Sequence, residues 1–209
     1  MYGSRGVGKT LFSIQFAANM LAKKYTVHLL ISNQSRNLKL LCQFYPRIPY
    51  KRNLYLYLID TPRDIIISFT KILKRGRPKS SVIILDETLP MQFFVRRAWS
   101  ESLTKKLGLI FSLFGKLLED GNKLLITLPE QDNIPLPRRW PAFIEFSKYF
   151  YRLRRKGRLR ELFSVKLLNL PSEGQLWNID PKSIKLETIL LARLYPTRFG
   201  FSLIEKEEF

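Results

Sequence analysis

Scarcity excludes disulfides, a histidine-built site and a membrane span. The 209 residues hold one cysteine, Cys42, so no internal disulfide can form, which fits a reducing interior. They hold one histidine, His28, with no Cys or His cluster beside it, and it reads as a packed strand residue rather than a metal ligand or base. No apolar run approaches the roughly 18 residues of a spanning helix, and no signal-peptide pattern precedes the first motif, so the expectation is an intracellular, cytoplasmic protein. Acids are scarce too. Seventeen Asp and Glu stand against 36 Lys and Arg, a formal charge of +19. That balance points to a polyanion partner: nucleic acid first, an acidic membrane surface or acidic protein second.

Glycine is also sparse, ten in all, yet three fall within the first eight residues. Residues 1–10 (MYGSRGVGKT) contain G-x-x-x-x-G-K-[ST], followed by an amphipathic stretch, 11–24, that reads as a helix. This is the pattern of a phosphate-binding loop. Glycines let successive N–H groups face inward, and the helix N-terminus adds partial positive charge. Gly3, Gly6, Val7, Gly8, Lys9 and Thr10 are the nucleotide candidates, with Lys9 reaching the β and γ phosphates and Thr10 ligating Mg²⁺. Only Met1 and Tyr2 precede the loop. Either the true start lies upstream or the feeding strand is trimmed.

Residues 25–32 and 53–60 read as strands, the first followed by the polar Asn33-Gln34-Ser35. Thr61-Pro62-Arg63-Asp64 opens a helix with a capping Thr, a Pro at the first helical position and an acid three residues after the cap. Residues 81–87 (SVIILDE) form a continuous apolar run ending in two acids, as a buried parallel strand does. Asp86 is the Walker B candidate that orders the Mg²⁺ shell. Glu87 could polarise the attacking water as general base. A long amphipathic helix is expected over 100–120 and a buried strand over 123–128, ending in a polar turn at 129–133 where Gln131 could sense the γ-phosphate.

From Arg138 to Lys166 there are ten Lys or Arg and two acids, interleaved with aromatics. Residues 147–154 and 159–168 read as paired strands around a basic tip, 155–158. Arg152, Arg154, Arg155, Lys156, Arg158 and Arg160 are the candidates for a nucleic-acid backbone. A short strand is expected over 175–179, a terminal helix over 182–194 and a last strand in the acidic tail, 199–209.

Four stretches resemble the RecA/RadA superfamily, with archaeal RadA paralogues and KaiC-like ATPases as nearest relatives. YGSRGVGKTLFSIQFAANMLAK is similar to its Walker A loop and following helix. FFVRRAWSESLTKKLGLIFSLFGKLLEDGNKLLITLPEQ is similar to its arginine-containing segment, long helix and strand ending in Gln. FSKYFYRLRRKGRLRELFSVKLLNLPSEG and QLWNIDPKSI resemble its late strand pair and closing strand. The resemblance implies an α/β fold, a RecA-like P-loop NTPase core with a mostly parallel central sheet flanked by helices and a basic C-terminal β-hairpin. It implies one domain over 1–209, with a nucleotide-binding core at 1–137, the basic strand pair and closing strand at 138–184, and an extension at 185–209. The family's catalytic glutamate follows the second strand, where this chain has Asn33-Gln34, so that role falls to Glu87 or is lost.

The expected activity is that of an ATPase using ATP and Mg²⁺ and binding DNA, single-stranded in preference to duplex, in recombination or repair. It would act as a RadA paralogue or accessory factor, as a homo-oligomer or beside a recombinase. Two other readings stand. One is a HerA/FtsK-like or viral packaging motor with Arg96, Arg97 or Arg139 as a finger in trans. The other is a regulatory subunit that holds ATP without hydrolysing it.

Overall fold

The computed structural model describes residues 1–4, 6–32, 35–48, 50–75, 81–86, 101–131, 134–137, 150–168, 184–197 and 200–206. The chain forms two compact units, one made of Met1–Lys9 with Leu128–Phe209, the other of Thr10–Thr127.

The Thr10–Thr127 unit carries a parallel four-stranded sheet. Its strands are β2 (Thr26–Ser32), β3 (Leu54–Ile59), β4 (Ser81–Leu85) and β5 (Lys123–Ile126), in the order β3-β2-β4-β5. The central strands β2 and β4 are buried almost throughout, which is why they read as unbroken apolar runs. On one face, Ile14, Ala17 and Leu21 of helix α1 (Lys9–Ala22) pack with Val27, Leu29, Ile31, Val82 and Ile84. Leu41 and Phe44 of α2 (Ser35–Phe44) join the same core. The sequence reading had no helix at α2, because polar residues break its periodicity and only one edge of it is buried.

Helices α3 (Pro62–Lys74) and α4 (Glu101–Glu119) pack against each other, with the Phe69 and Phe114 rings 5.1 Å apart. The α3 cap forms as expected: the Asp64 N–H donates to Thr61 Oγ1 and the Thr61 N–H donates to Asp64 Oδ2 at 2.8 Å. His28 is the packed strand residue that the sequence implied. Buried on β2, it stacks on Tyr55 at 5.1 Å, while Arg75 lies over the Tyr55 ring. No helix among the described residues is long and apolar enough to cross a membrane.

The other unit is a seven-stranded mixed sheet. Strand β1 (Tyr2–Gly3) lies between β6 (Leu128–Gln131) and β8 (Phe150–Lys156), parallel to both, and β7 (Ile134–Pro137) runs antiparallel beside β6. From β8 the chain continues as an antiparallel meander through β9 (Leu159–Leu167), β10 (Leu186–Thr197) and β11 (Gly200–Lys206). The basic hairpin turns at Gly157-Arg158, as the sequence suggested.

Two expectations fail here. Residues 182–194 were read as a terminal helix, but 186–197 form strand β10. Its apolar residues suit either period, and the long ladder it makes with β9 decides for the strand. Residues 129–131 belong to strand β6 rather than to a turn, because Leu128 and Pro129 pair with Tyr2 and Gly3. The strand expected at 175–179 lies outside the described residues.

Candidate functional site

The phosphate-binding loop is shaped by close backbone fitting. At Gly3 a Cβ would overlap the Leu153 carbonyl oxygen of β8, so only glycine permits the strands to approach. Gly6 (φ +77°) and Gly8 (φ +108°) occupy the left-handed region. A side chain at Gly8 would also meet the Phe201 ring of β11, whereas the space beside Gly6 is open. Val7, between them, is buried, so any contact it offers a ligand comes from its backbone. Its carbonyl accepts a 2.9 Å hydrogen bond from Arg160 Nε.

Lys9 begins helix α1, and its Nζ donates to the Gly3 and Ser4 carbonyls at 2.8 and 3.1 Å. No acid occupies the first turn of α1, so its positive end stays uncompensated within the helix. Left-handed glycines, a lysine folded onto its own loop and a bare helix N-terminus form a donor set that fits a phosphate chain.

The second cluster belongs to the Thr10–Thr127 unit. Asp86 follows β4 and is 1% exposed. Its Oδ1 accepts from Ser13 Oγ at 3.0 Å and from Thr127 Oγ1 at 2.9 Å, and its N–H donates to Leu30 O. These donors favour the ionised carboxylate. Ser13 stands one turn along α1 from Thr10, which places the Thr10 hydroxyl on the same helix side. A hydroxyl and a carboxylate are the oxygen donors that Mg²⁺ takes. Sequence reading missed Ser13 and Thr127; the signal available was a serine three residues after the motif threonine, on an otherwise apolar helix face.

Gln131 ends β6. Glu87, Asn33, Gln34, Arg96, Arg97 and Arg139 lie outside the described residues.

The six basic candidates separate into two groups. Arg154, Arg155, Lys156 and Arg158 are exposed around the hairpin turn. Arg155 Nε donates to Gly157 O at 3.3 Å, and Lys156 Nζ pairs with the buried Glu161 at 3.2 Å. Arg152 and Arg160 are engaged inside the unit. Arg152 forms an ion pair with Glu130, and Arg160 holds both Val7 O and Leu159 O. Burial, and then Arg155, lowers the Arg160 pKa from its ordinary value. Burial raises that of Tyr2, which is in register with Arg152.

No protein-family model and no curated protein matches the sequence. Among solved structures, the ATPase domain of a DnaB-like helicase is similar to it. The TM-score is 0.59 at 13% identity, covering 98% of this chain and 83% of that one. The fold is thus the α/β fold of RecA-like P-loop ATPases, a mostly parallel central sheet flanked by helices.

Proposed function

We propose that the chain is an ATP-hydrolysing RecA-like protein that binds DNA, acting in recombination or repair as a RadA paralogue or accessory factor. One observation carries this reading: left-handed Gly6 and Gly8 lead directly into Lys9, whose ammonium rests on loop carbonyls at the start of a helix. Backbone N–H groups from Gly6 to Lys9 bind the phosphates. Lys9 Nζ exchanges its carbonyl partners for β and γ oxygens. Thr10 and Asp86 hold Mg²⁺, which neutralises charge on the phosphate oxygens when bound. Ser13 and Thr127 keep Asp86 ionised and aimed. Glu87 serves as base and Gln131 as the γ-phosphate sensor.

DNA, single-stranded by preference, lies along Arg154, Arg155, Lys156 and Arg158, the exposed cations of the hairpin. Arg152 and Arg160 have internal partners and take other parts. The protein works in the cytoplasm, as a homo-oligomer or with a recombinase, and one domain spans 1–209.

Steady-state ATP hydrolysis tests the proposal, measured with and without single-stranded and duplex DNA beside Lys9→Ala and Glu87→Gln. DNA-stimulated turnover that falls about 100-fold or more in both variants is expected. Tight ATP binding without turnover would replace it by a non-hydrolysing regulatory subunit, and stimulation by duplex alone would replace it by a translocating motor. DNA affinity should fall steeply with salt, and a flat profile removes the hairpin from the interface.

A further inference from the structure

The contact between Arg160 and Val7 does more than close a loop. The Val7 carbonyl and the Gly8 N–H belong to one planar, trans peptide unit and so point in opposite directions. Holding the carbonyl on Arg160 therefore aims the Gly8 N–H the other way. Gly6 and Gly8, on either side, are the two residues of the loop with positive φ, so the peptide between them has an orientation that neighbouring side chains cannot set. Arg160 reaches it from β9 with a 2.9 Å charge-assisted hydrogen bond, and the same guanidinium donates to Leu159 O.

Across the ladder, Arg160 stands directly opposite Arg155. Like charges in that position repel. Arg155 is exposed near the hairpin turn, where a phosphodiester can reach it, while Arg160 is partly buried.

We propose that Arg160 is a positioning residue for the phosphate-binding loop, and that a nucleic-acid phosphate on Arg155 tightens its hold on Val7 by cancelling the repulsion between the two arginines. The proposal rests on the ATP and DNA reading above and adds the route by which the hairpin adjusts nucleotide affinity.

The test titrates a fluorescent ATP analogue with Mg²⁺ into wild type, Arg160→Gln, Arg160→Lys and Arg155→Gln, with and without a saturating thymidine oligomer of about 20 nucleotides. Melting curves check each fold. In wild type the oligomer should tighten nucleotide binding about 5-fold or more, and the nucleotide should tighten oligomer binding by the same factor. Arg160→Gln should weaken nucleotide binding about 10-fold and abolish the response. Arg160→Lys, which keeps the charge and a donor, should restore part of the affinity. Arg155→Gln should bind nucleotide at least as tightly as wild type yet no longer respond to the oligomer. Equal nucleotide affinity in wild type and a folded Arg160→Gln overturns the positioning role. An Arg155→Gln variant that still responds overturns the route. Wild type that binds both ligands with no mutual effect overturns the coupling while leaving the ATP and DNA reading intact; wild type that binds no nucleotide overturns both.

Discussion

Around the phosphate-binding loop the chain relies on backbone fitting backbone, whereas the helix-flanked parallel unit relies on a few polar side chains sealed into an apolar core. Gly3 lies against the Leu153 carbonyl and Gly8 against the Phe201 ring. Nothing in those two contacts titrates. In the parallel unit, His28, Asp86, Ser13 and Thr127 are each at most 2% exposed among Leu, Ile and Val. The two units should therefore fail differently, the first to added volume at any pH, the second to acid or to loss of a hydrogen-bond partner.

The largest effect is expected at Gly3→Ala. The obstacle there is a backbone carbonyl in a paired strand, which cannot rotate away, so the cost should be about 3 kcal/mol or more. For a chain of this length that lowers the melting temperature by about 6–12 °C. Nucleotide affinity should fall with it. The decrement should be the same at about pH 7.5 and pH 5, and a strongly pH-dependent decrement would erase the contrast between the units.

Acid should act on the parallel unit through His28. Burial, and then Arg75, lowers its pKa from 6.5 to about 4. The unfolded chain therefore takes up a proton that the folded chain refuses. Stability from this group is complete above about pH 6.5 and is lost as pH falls toward 4, by about 3 kcal/mol at the limit. His28→Phe, which keeps the stack on Tyr55, should flatten the dependence of melting temperature on pH in that window. An unchanged slope would assign the acid sensitivity elsewhere.

Next in size is Ser13→Ala. It removes one of the two hydroxyls that donate to Asp86 Oδ1. A cost of about 1–3 kcal/mol follows from leaving a buried carboxylate short of a donor. Because the carboxylate is then less well supported, Mg²⁺-dependent nucleotide binding should weaken more than metal-free binding. Equal weakening of both would detach Asp86 from the metal.

How much of this was legible follows the same division. The loop motif, the buried strands β2 and β4, the cap at Thr61 and the turn at Gly157-Arg158 all rest on local chemistry, and each could be read from residues adjacent in sequence. The contacts that shape the loop could not. Leu153 O, Arg160 and Phe201 are brought to it by strands more than 140 residues away along the chain. Arg152 and Arg160 looked like members of a basic run because charge is visible in a sequence and a partner such as Glu130 or Val7 O is not. Strand β10 misled for a related reason: Leu186, Ile189, Leu190 and Leu194 satisfy a helical spacing, and only pairing with β9 selects the extended form.

The smallest expected effect lies in the parallel unit, at a polar group on its surface. Asp64 closes the α3 cap, accepting from the Asp60 and Thr61 N–H groups. Burial works against its charge, but those hydrogen bonds outweigh burial and hold its carboxyl below the ordinary value of 3.8. A depressed carboxylate pKa contributes stability that is present above the unfolded value and is lost as pH falls through the folded one. Asp64→Asn retains an acceptor but loses the charge at the helix N-terminus, and Thr61→Ala removes the cap; each should cost about 1 kcal/mol. Unlike the loss at His28, this one should appear only below about pH 4, so melting temperatures across the acid range should resolve two steps, with Asp64→Asn removing the lower and His28→Phe the upper. A single step removed by either variant alone would mean that the buried and the exposed polar groups of this unit are not energetically separate.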